Sequence, residues 1–187
     1  MNKKLNLIIL SAFVLIMSSC LKSKEIIGPD ADNSAGAIIE FANPTYITSG
    51  TTILTPRYNL SLSEYSNKLH IEVKYSGTGK AAPSDVTVNI AVDAATLLAH
   101  NTQSGLVNTT TGVPLATAYV AAPTAAYSAI PASVVIPSGQ TKAGFDITVN
   151  PALLTAGRNN TIPLKITSAS TGTVSGNFGA IVLALVN

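Results

Sequence analysis

Apolar and polar residues alternate along several segments of the chain, and the clearest of them is the segment 69–75. Its apolar residues fall on one face and its polar residues on the other, as expected of a β-strand with one buried and one solvated face. The segments 86–92, 145–149 and 162–166 repeat this period of two. We therefore predict that one core collects the following apolar residues: Leu69, Ile71, Val73, Val86, Val88, Ile90, Phe145, Ile147, Val149, Ile162, Leu164 and Ile166.

Shorter apolar segments predict the remaining strands. Residues 37–41 form one candidate strand, and residues 53–62 form another whose first half is weakened by Pro56. Residues 178–186 are apolar on both faces, which predicts a strand that is covered on both sides. Several short strands joined by turn-rich segments favour an all-β fold, an antiparallel sandwich of two sheets.

One short helix is predicted among these strands, over residues 94–101. Asp93 can cap it, because its carboxylate can accept a hydrogen bond from a free backbone N–H of the first turn. Leu97 and Leu98 are expected to pack the helix over one end of the sandwich. The segment 102–127 that follows is small, polar and interrupted by Pro and Gly, which predicts a long loop or a weak hairpin.

The first twenty residues have a composition of their own. Lys3 and Lys4 precede an apolar stretch of 13 residues, which is short of the roughly 20 that a membrane-spanning helix needs. Small residues and then Cys20 follow it, the pattern of a secretory signal that ends at a lipid-modified cysteine. We therefore predict a lipoprotein signal peptide over 1–19, lipidation of Cys20, a flexible tether over 20–35 and one folded domain over 36–187.

Charge excludes some classes of partner. The chain has 11 basic and 9 acidic residues, but two of the lysines lie in the predicted signal, so the remainder is balanced. A balanced domain of this kind is not expected to bind nucleic acid. Cys20 is the single cysteine, so no disulfide can form within the chain.

Residues that could support catalysis or metal binding are few. His70 lies on the polar face of its strand, where a solvated side chain is expected, and His100 lies near the end of the predicted helix, where a partly positive ring suits the helix dipole. Neither has a neighbourhood of metal-ligating residues, and the acidic residues are scattered singly. We predict no metal, no cofactor and no enzymatic activity.

Two tyrosines are the candidate ligand-binding residues. Tyr119 and Tyr127 lie in the irregular segment 102–127, and loops of that length often carry binding residues. Exposed tyrosine rings can stack on a sugar or insert into a partner. The alternative is that both rings fix the segment to the sandwich.

Several motifs resemble one known family. They are Ala-Pro-Ser-Asp-Val-Thr-Val at 82–88, Val-Asp at 92–93, Asn101, Ile-Pro at 130–131, Val-Ile-Pro-Ser-Gly-Gln at 135–140 and Ile-Pro-Leu-Lys-Ile at 162–166. Together they resemble the immunoglobulin-like N-terminal domain of unknown function that occurs in Bacteroides-type surface lipoproteins associated with glycan utilisation. His100 departs from the pattern, because the family commonly has a tyrosine there.

The resemblance implies an immunoglobulin-like fold and a place on the cell surface, and it transfers no sugar-contacting residue. The expected function is a non-catalytic outer-membrane lipoprotein that acts as an accessory or binding module of a glycan-utilisation system. Its expected partners are the membrane, through the lipid, and a glycan or other surface proteins of that system. The alternative is a structural adhesion or assembly subunit that pairs an edge strand with another protein.

Overall fold

The computed structural model describes residues 36–42, 53, 55–61, 64, 66–76 and 80–186. These residues form two β-sheets packed face to face, with one short helix. The predicted signal 1–19, Cys20 and the predicted tether 20–35 lie outside the described residues. Within the described ranges, no helix is long and apolar enough to cross a membrane.

The regular elements follow one another in a mostly β order. The strands are β1 Ile38–Phe41, β2 Arg57–Asn59, β3 Asn67–Ser76, β4 Val86–Val92, β5 Tyr119–Ala121, β6 Ser133–Ile136, β7 Lys142–Val149, β8 Asn159–Ala169, β9 Thr173–Val174 and β10 Ala180–Val186. The helix α1 is Ala94–Gln103, and short 3-10 turns occur at Thr124–Ala126 and Pro151–Leu153.

The strands divide into sheets of four and six. The four-stranded sheet has the order β7-β3-β1-β9, and the six-stranded sheet has the order β2-β10-β8-β4-β6, with β5 beside the start of β8. The long strands pair antiparallel, as predicted, whereas three short pairs, β1–β9, β2–β10 and β5–β8, are parallel. Each of these parallel pairs includes a strand of only two or three residues. The predicted all-β sandwich with one short helix is confirmed.

The predicted core is also confirmed. All of the twelve predicted residues except Phe145 are buried between the two sheets. Phe145 is half-buried and packs against the edge of this core. The core extends beyond the prediction with Ile39 and Phe41 of β1, Ile136 of β6 and Leu183 of β10.

Pro163 lies inside β8, although proline cannot donate to a ladder and is usually confined to edge strands. On one side β8 pairs continuously with β10, while on the other its partner changes from β5 to β4. The carbonyl of Pro163 accepts from Asp93 N at 3.1 Å, so its nitrogen also faces this change of partner. The missing N–H therefore removes no bond to β10, and the chain enters α1 at that point.

Strand β10 is buried on both faces, as the sequence predicts. Leu183 faces the main core, whereas Val182 faces outwards and is covered by α1. The helix therefore packs on the outer face of the six-stranded sheet, not over one end of the sandwich as predicted. Leu97 is buried there at 9% exposure, whereas Leu98 is 54% exposed, so the prediction that both leucines pack was wrong for Leu98.

Asp93 caps α1 as predicted. Its Oδ2 accepts from the backbone N–H of Thr96 at 3.0 Å and from the Thr96 hydroxyl at 2.7 Å. The Thr96 hydroxyl bond is the main reason why the pKa of Asp93 lies below its usual value.

The segment 102–127 is more ordered than the sequence suggests. Helix α1 continues two residues beyond the predicted end, to Gln103, and β5 and a 3-10 turn follow later in the segment. The weak hairpin predicted as one alternative is present at 106–115, where Val107 and Pro114 form an antiparallel bridge and Asn108 N donates to Val113 O at 2.9 Å. Strand β5 was not predicted, because it has only three residues and its partner β8 lies about forty residues further along the chain. Likewise, the predicted strand over 53–62 is limited to β2, since Pro56 precedes it.

Candidate functional site

A groove of about 360 Å³ opens on the outer face of the six-stranded sheet, beside α1. Nine residues from β2, β5, β10, the start of β8 and the turn before it line the groove: Arg57, Tyr119, Gly157, Arg158, Asn159, Asn160, Ala184, Leu185 and Val186. We call it the arginine groove. The chain has only two arginines, Arg57 and Arg158, and both line this groove.

Strand register brings the groove residues together. Arg57 lies opposite Ala184 in the pair β2–β10, and Tyr119 lies opposite Asn159 in the pair β5–β8. Val182, two residues before Ala184, packs under α1, so Ala184 and Arg57 share the outer face of the sheet. Because β10 and β8 run between β2 and β5, the groove spans three strand spacings, about 14 Å.

Arg158 lies in a turn that is fixed from below. The buried Asn160 side chain donates through Nδ2 to the carbonyl oxygens of Thr155 and Arg158, at 2.8 Å and 3.0 Å. Its Oδ1 accepts from Thr155 N at 3.0 Å. Gly157, between them, has φ +67°, a conformation that other L-residues rarely adopt. The turn is therefore tied to the sheet, and it presents Arg158 at the groove.

Tyr119 is fixed by the end of the helix. The buried Asn101 side chain donates through Nδ2 to Tyr119 O at 2.9 Å and accepts from Tyr119 N at 3.1 Å. These two bonds satisfy the first backbone groups of β5. Tyr119 is half-buried, not exposed as predicted, because its ring also packs beside Leu97 and Val182. Sequence reasoning quoted Asn101 as a family motif without assigning it this task.

His100 lies under the ring of Tyr119. The two ring centroids are 5.2 Å apart at 61°, an edge-to-face contact. His100 is 0% exposed, its Nδ1 is 3.4 Å from Thr55 Oγ1, and its Nε2 has no hydrogen-bond partner among the described residues. Burial lowers the pKa of His100, so the ring is neutral at pH 7. The prediction of a partly positive ring interacting with the helix dipole was therefore wrong.

The electrostatics of the arginine groove are one-sided. No acidic residue lines it, and within the described ranges no ion pair involves Arg57 or Arg158. Both residues are exposed. A guanidinium offers a planar set of donors that matches a carboxylate or a sulfate bidentately. The groove can therefore bind an anionic group next to a tyrosine ring.

Tyr127 lies elsewhere. It is half-buried, packs against the main core and forms an isolated bridge with Val149 at the end of β7. Burial raises the pKa of its hydroxyl. It lines a separate, largely apolar groove of about 500 Å³ with residues that include Ile90, Val92 and Ile130. The two predicted tyrosines therefore do not form one site, and a ligand contact by Tyr127 stays a prediction.

The outer face of the four-stranded sheet carries most of the other charged side chains in the part of the chain that the structure describes. Asp146 accepts from Lys68 Nζ at 2.8 Å and lies 2.7 Å from His70 Nδ1, while Glu72 pairs with Lys142 at 2.7 Å. We call this the charged face. His70 is solvent-exposed there, as predicted. The Lys68 hydrogen bond, followed by that from His70, lowers the pKa of Asp146.

Metal binding has no candidate in the part of the chain that the structure describes. No group of three or more His, Cys, Asp or Glu side chains there could hold a metal ion. On the charged face, the contacts of Lys68 with Asp146 and of Lys142 with Glu72 are ion pairs between side chains of opposite charge.

Sequence reasoning missed both arginines. They are separated by about a hundred positions along the chain, and the pairings of β2 with β10 and of β10 with β8 bring them to one groove. The usable signal was compositional, because a chain with nine lysines and two arginines uses arginine sparingly. Nothing in the local sequence of either residue indicates a shared site.

Comparison with known proteins places the fold. The model of a family described as an N-terminal domain matches residues 41–173. No curated protein matches the chain. Among solved structures, a Bacteroides ovatus protein of unknown function is similar over 79% of this chain and 46% of its own, with 19% identity and a TM-score of 0.62.

Two other similar structures carry binding names. A candidate carbohydrate binding protein of Bacteroides ovatus is 12% identical over 80% of this chain and 36% of its own, with a TM-score of 0.57. An auxiliary nutrient binding protein of Bacteroides thetaiotaomicron is 17% identical over 77% of this chain and 47% of its own, with a TM-score of 0.52. The chain therefore spans less than half the length of each of these three proteins, and at such identities the likeness concerns the fold.

Proposed function

The chain belongs to the family of N-terminal domains whose model it matches over residues 41–173, and from that premise we propose that it is a non-catalytic glycan-binding module. It acts on the cell surface, anchored to the outer membrane through a lipid on Cys20, as an accessory component of a glycan-utilisation system. The arginine groove is its binding site.

One observation carries this proposal, namely the composition and support of the arginine groove. It combines two exposed guanidiniums, a tyrosine ring and side-chain amides in one concave surface. Concave sites with a few convergent polar groups are the usual place for a small ligand. Asn160 and Asn101 hold the turn and the strand that present Arg158 and Tyr119, so little ordering is left to occur on binding.

The names of the similar structures agree with a binding role. Two of them are Bacteroides proteins named for carbohydrate or nutrient binding. The motifs quoted from the sequence resemble a family associated with glycan utilisation, and the fold is the one that this resemblance implies. Lipidation at Cys20 rests on the signal pattern of residues 1–20.

Assembly through edge-strand pairing has less support. Among the described strands, the edges of the six-stranded sheet are β2 and β6, with three and four residues. The longer edge strand β7 is covered at its end, because Ser128 N donates to Thr148 O and Asn150 N donates to Ala126 O, both at 2.8 Å. These bonds shorten the edge of β7 that a partner strand could pair with, and the other two edge strands are short.

Binding can be tested by electrophoresis of the folded domain through gels that contain neutral or acidic polysaccharides. We expect at least one polysaccharide to retard the protein, and Tyr119→Ala to relieve that retardation at temperatures well below its thermal midpoint. Tyr127→Ala is the matched control, because Tyr127 lies in a different groove. Failure of every polysaccharide to retard the protein contradicts the proposal.

Anchoring and the absence of catalysis are tested separately. Cys20→Ala in the full chain should move the protein from the membrane fraction to the soluble fraction, whereas Cys20→Ala that still partitions into detergent contradicts lipidation. Incubation with each retained polysaccharide should release no new reducing ends. Release of reducing ends contradicts the non-catalytic part of the proposal.

A further inference from the structure

We propose that the arginine groove selects saccharides that carry an acidic group, a uronate carboxylate or a sulfate, which binds to the guanidiniums of Arg57 and Arg158. This inference rests on the proposed function, since it names the class of glycan that the same groove binds. Tyr119 would lie against the face of the sugar ring.

The distribution of the two kinds of cation supports this choice. Both arginines of the chain line the groove, and none of the lysines in the described ranges does. Lysine is a point charge on a flexible stem, whereas arginine carries a rigid fork that fits planar or tetrahedral oxyanions. The groove therefore holds the residue type that recognises acidic groups with defined geometry.

The arginines have no carboxylate partner among the described residues, and this also supports the selection of an acidic ligand. Within the described ranges, Lys68, Lys74 and Lys142 each have a carboxylate within 4.0 Å, but Arg57 and Arg158 have none. Two cations that share a concave surface without an anion repel each other, and a bound anion relieves this repulsion. A neutral glycan would leave the two charges uncompensated.

The remaining groove residues suit the sugar rather than a free anion. Asn159 donates through Nδ2 to Thr117 O at 2.9 Å, and its Oδ1 remains an acceptor for a hydroxyl. Tyr119 lies opposite Asn159 in the pair β5–β8 and lines the same groove. A groove of about 360 Å³ is within the usual range for small-molecule sites, so it is larger than one small anion requires.

The experiment compares an acidic ligand with its uncharged methyl ester. Isothermal titration of the folded domain uses oligosaccharides of polygalacturonate and the same oligosaccharides after methyl esterification, which removes the carboxylate charge. We expect the acidic form to bind about tenfold or more tightly than the ester, because truncating one partner of a desolvated charged pair costs several-fold to many-fold in affinity. Dextran and dextran sulfate form the parallel pair for sulfate.

Variants assign the effect to the groove. Arg57→Gln and Arg158→Gln should each weaken binding of the preferred acidic ligand about tenfold, and Arg→Lys at either position should restore part of it. Lys74→Gln on the charged face is the control, because it removes one positive charge from the other sheet. Its affinity should match that of the unmodified protein.

The outcomes separate the two proposals. The inference is supported if one acidic ligand binds more tightly than its uncharged form and this advantage is lost only in the Arg→Gln variants. The pair with the larger difference in affinity then shows whether the groove prefers a carboxylate or a sulfate. Equal binding of charged and uncharged forms, or equal losses in Lys74→Gln and the arginine variants, overturns acidic selection while glycan binding stands. Failure to bind any charged or neutral saccharide overturns the proposed function itself.

Discussion

The two sheets present different outer faces to solvent. On the four-stranded sheet, acidic and basic side chains alternate across β3 and β7 and pair with one another at distances of 2.7–2.8 Å. The outer face of the six-stranded sheet is instead covered by α1, and its two arginines have no acidic partner among the described residues. Charge is thus compensated on one face and left uncompensated on the other.

The charged face is also closely fitted. His70 lies over Gly144 on the neighbouring strand, and a Cβ built at Gly144 would come within 2.8 Å of the imidazole ring. The glycine leaves space for the ring to reach Asp146. A face whose side chains already satisfy one another offers few groups to a ligand, and this difference supports the proposal that ligands bind in the arginine groove rather than on the charged face.

The largest effect is expected from disrupting the packing of α1 on the outer face of the six-stranded sheet. Leu97→Ala removes a buried side chain of the small cluster with Val182 and should lower the free energy of unfolding by about 2–5 kcal/mol. Leu98→Ala, one position along the helix at an exposed site, should change it by less than about 0.5 kcal/mol. Urea unfolding measures both. Equal effects would show that α1 does not pack as described.

The next effect tests whether the turn that Asn160 fixes is needed for binding of the acidic ligand. Asn160→Ala removes three hydrogen bonds to the turn that carries Arg158, and the backbone groups of Thr155 and Arg158 lose these partners. We expect a loss of about 1–3 kcal/mol of stability, together with weaker binding of the acidic ligand. The neighbouring Asn159→Ala removes a single exposed bond and should cost less stability. Equal costs would mean that Asn160 does not fix the turn.

A smaller effect is the pH dependence that His100 gives to the helix-covered face. Its pKa in the folded protein lies below the ordinary value of 6.5, so the unfolded chain takes up the proton first. The contribution of the buried neutral His100 to stability should therefore be fully present above about pH 6.5 and should decrease as the pH falls below it. His100→Phe should reduce the difference between urea midpoints measured at about pH 8 and about pH 5.5. An unchanged difference would contradict a buried neutral ring.

The smallest effect is expected on the charged face. Lys142→Gln removes one of the partners of Glu72, in a pair whose side chains remain partly exposed. Exposed pairs contribute little after desolvation and side-chain entropy are included, so we expect a change in unfolding free energy below about 1 kcal/mol. Ligand binding should not change. A larger loss in either measurement would show that this face does more than remain solvated.

Local periodicity was enough to predict the main layers of the fold. In strands β3, β4 and β7, buried side chains alternate with more exposed ones, so the side chains facing the core could be identified individually. The cap at Asp93 was also readable, because capping depends on residues three positions apart. Strand β5 was not readable, because three residues give no period and its partner lies about forty residues away.

The arginine groove could not be predicted, because its residues come together through contacts between positions that are far apart along the chain. Arg57 and Arg158 meet through two strand pairings, and His100 was misjudged because its burial depends on Thr55 and Tyr119. Tyr119 was selected from its position in a long segment, but the reason for its place is the Asn101 side chain. Features that arise from contacts distant along the chain could be recognised only from the structure.

The most direct test of the contrast between the two faces is a backbone amide NMR titration of the folded domain with polygalacturonate oligosaccharides. The account predicts that shift changes concentrate at Arg57, Tyr119 and residues 157–160, which line the arginine groove. The amide shifts of residues 68–74 and 142–146, on the charged face, should remain unchanged. Shift changes on the charged face with an unaffected groove would contradict the account.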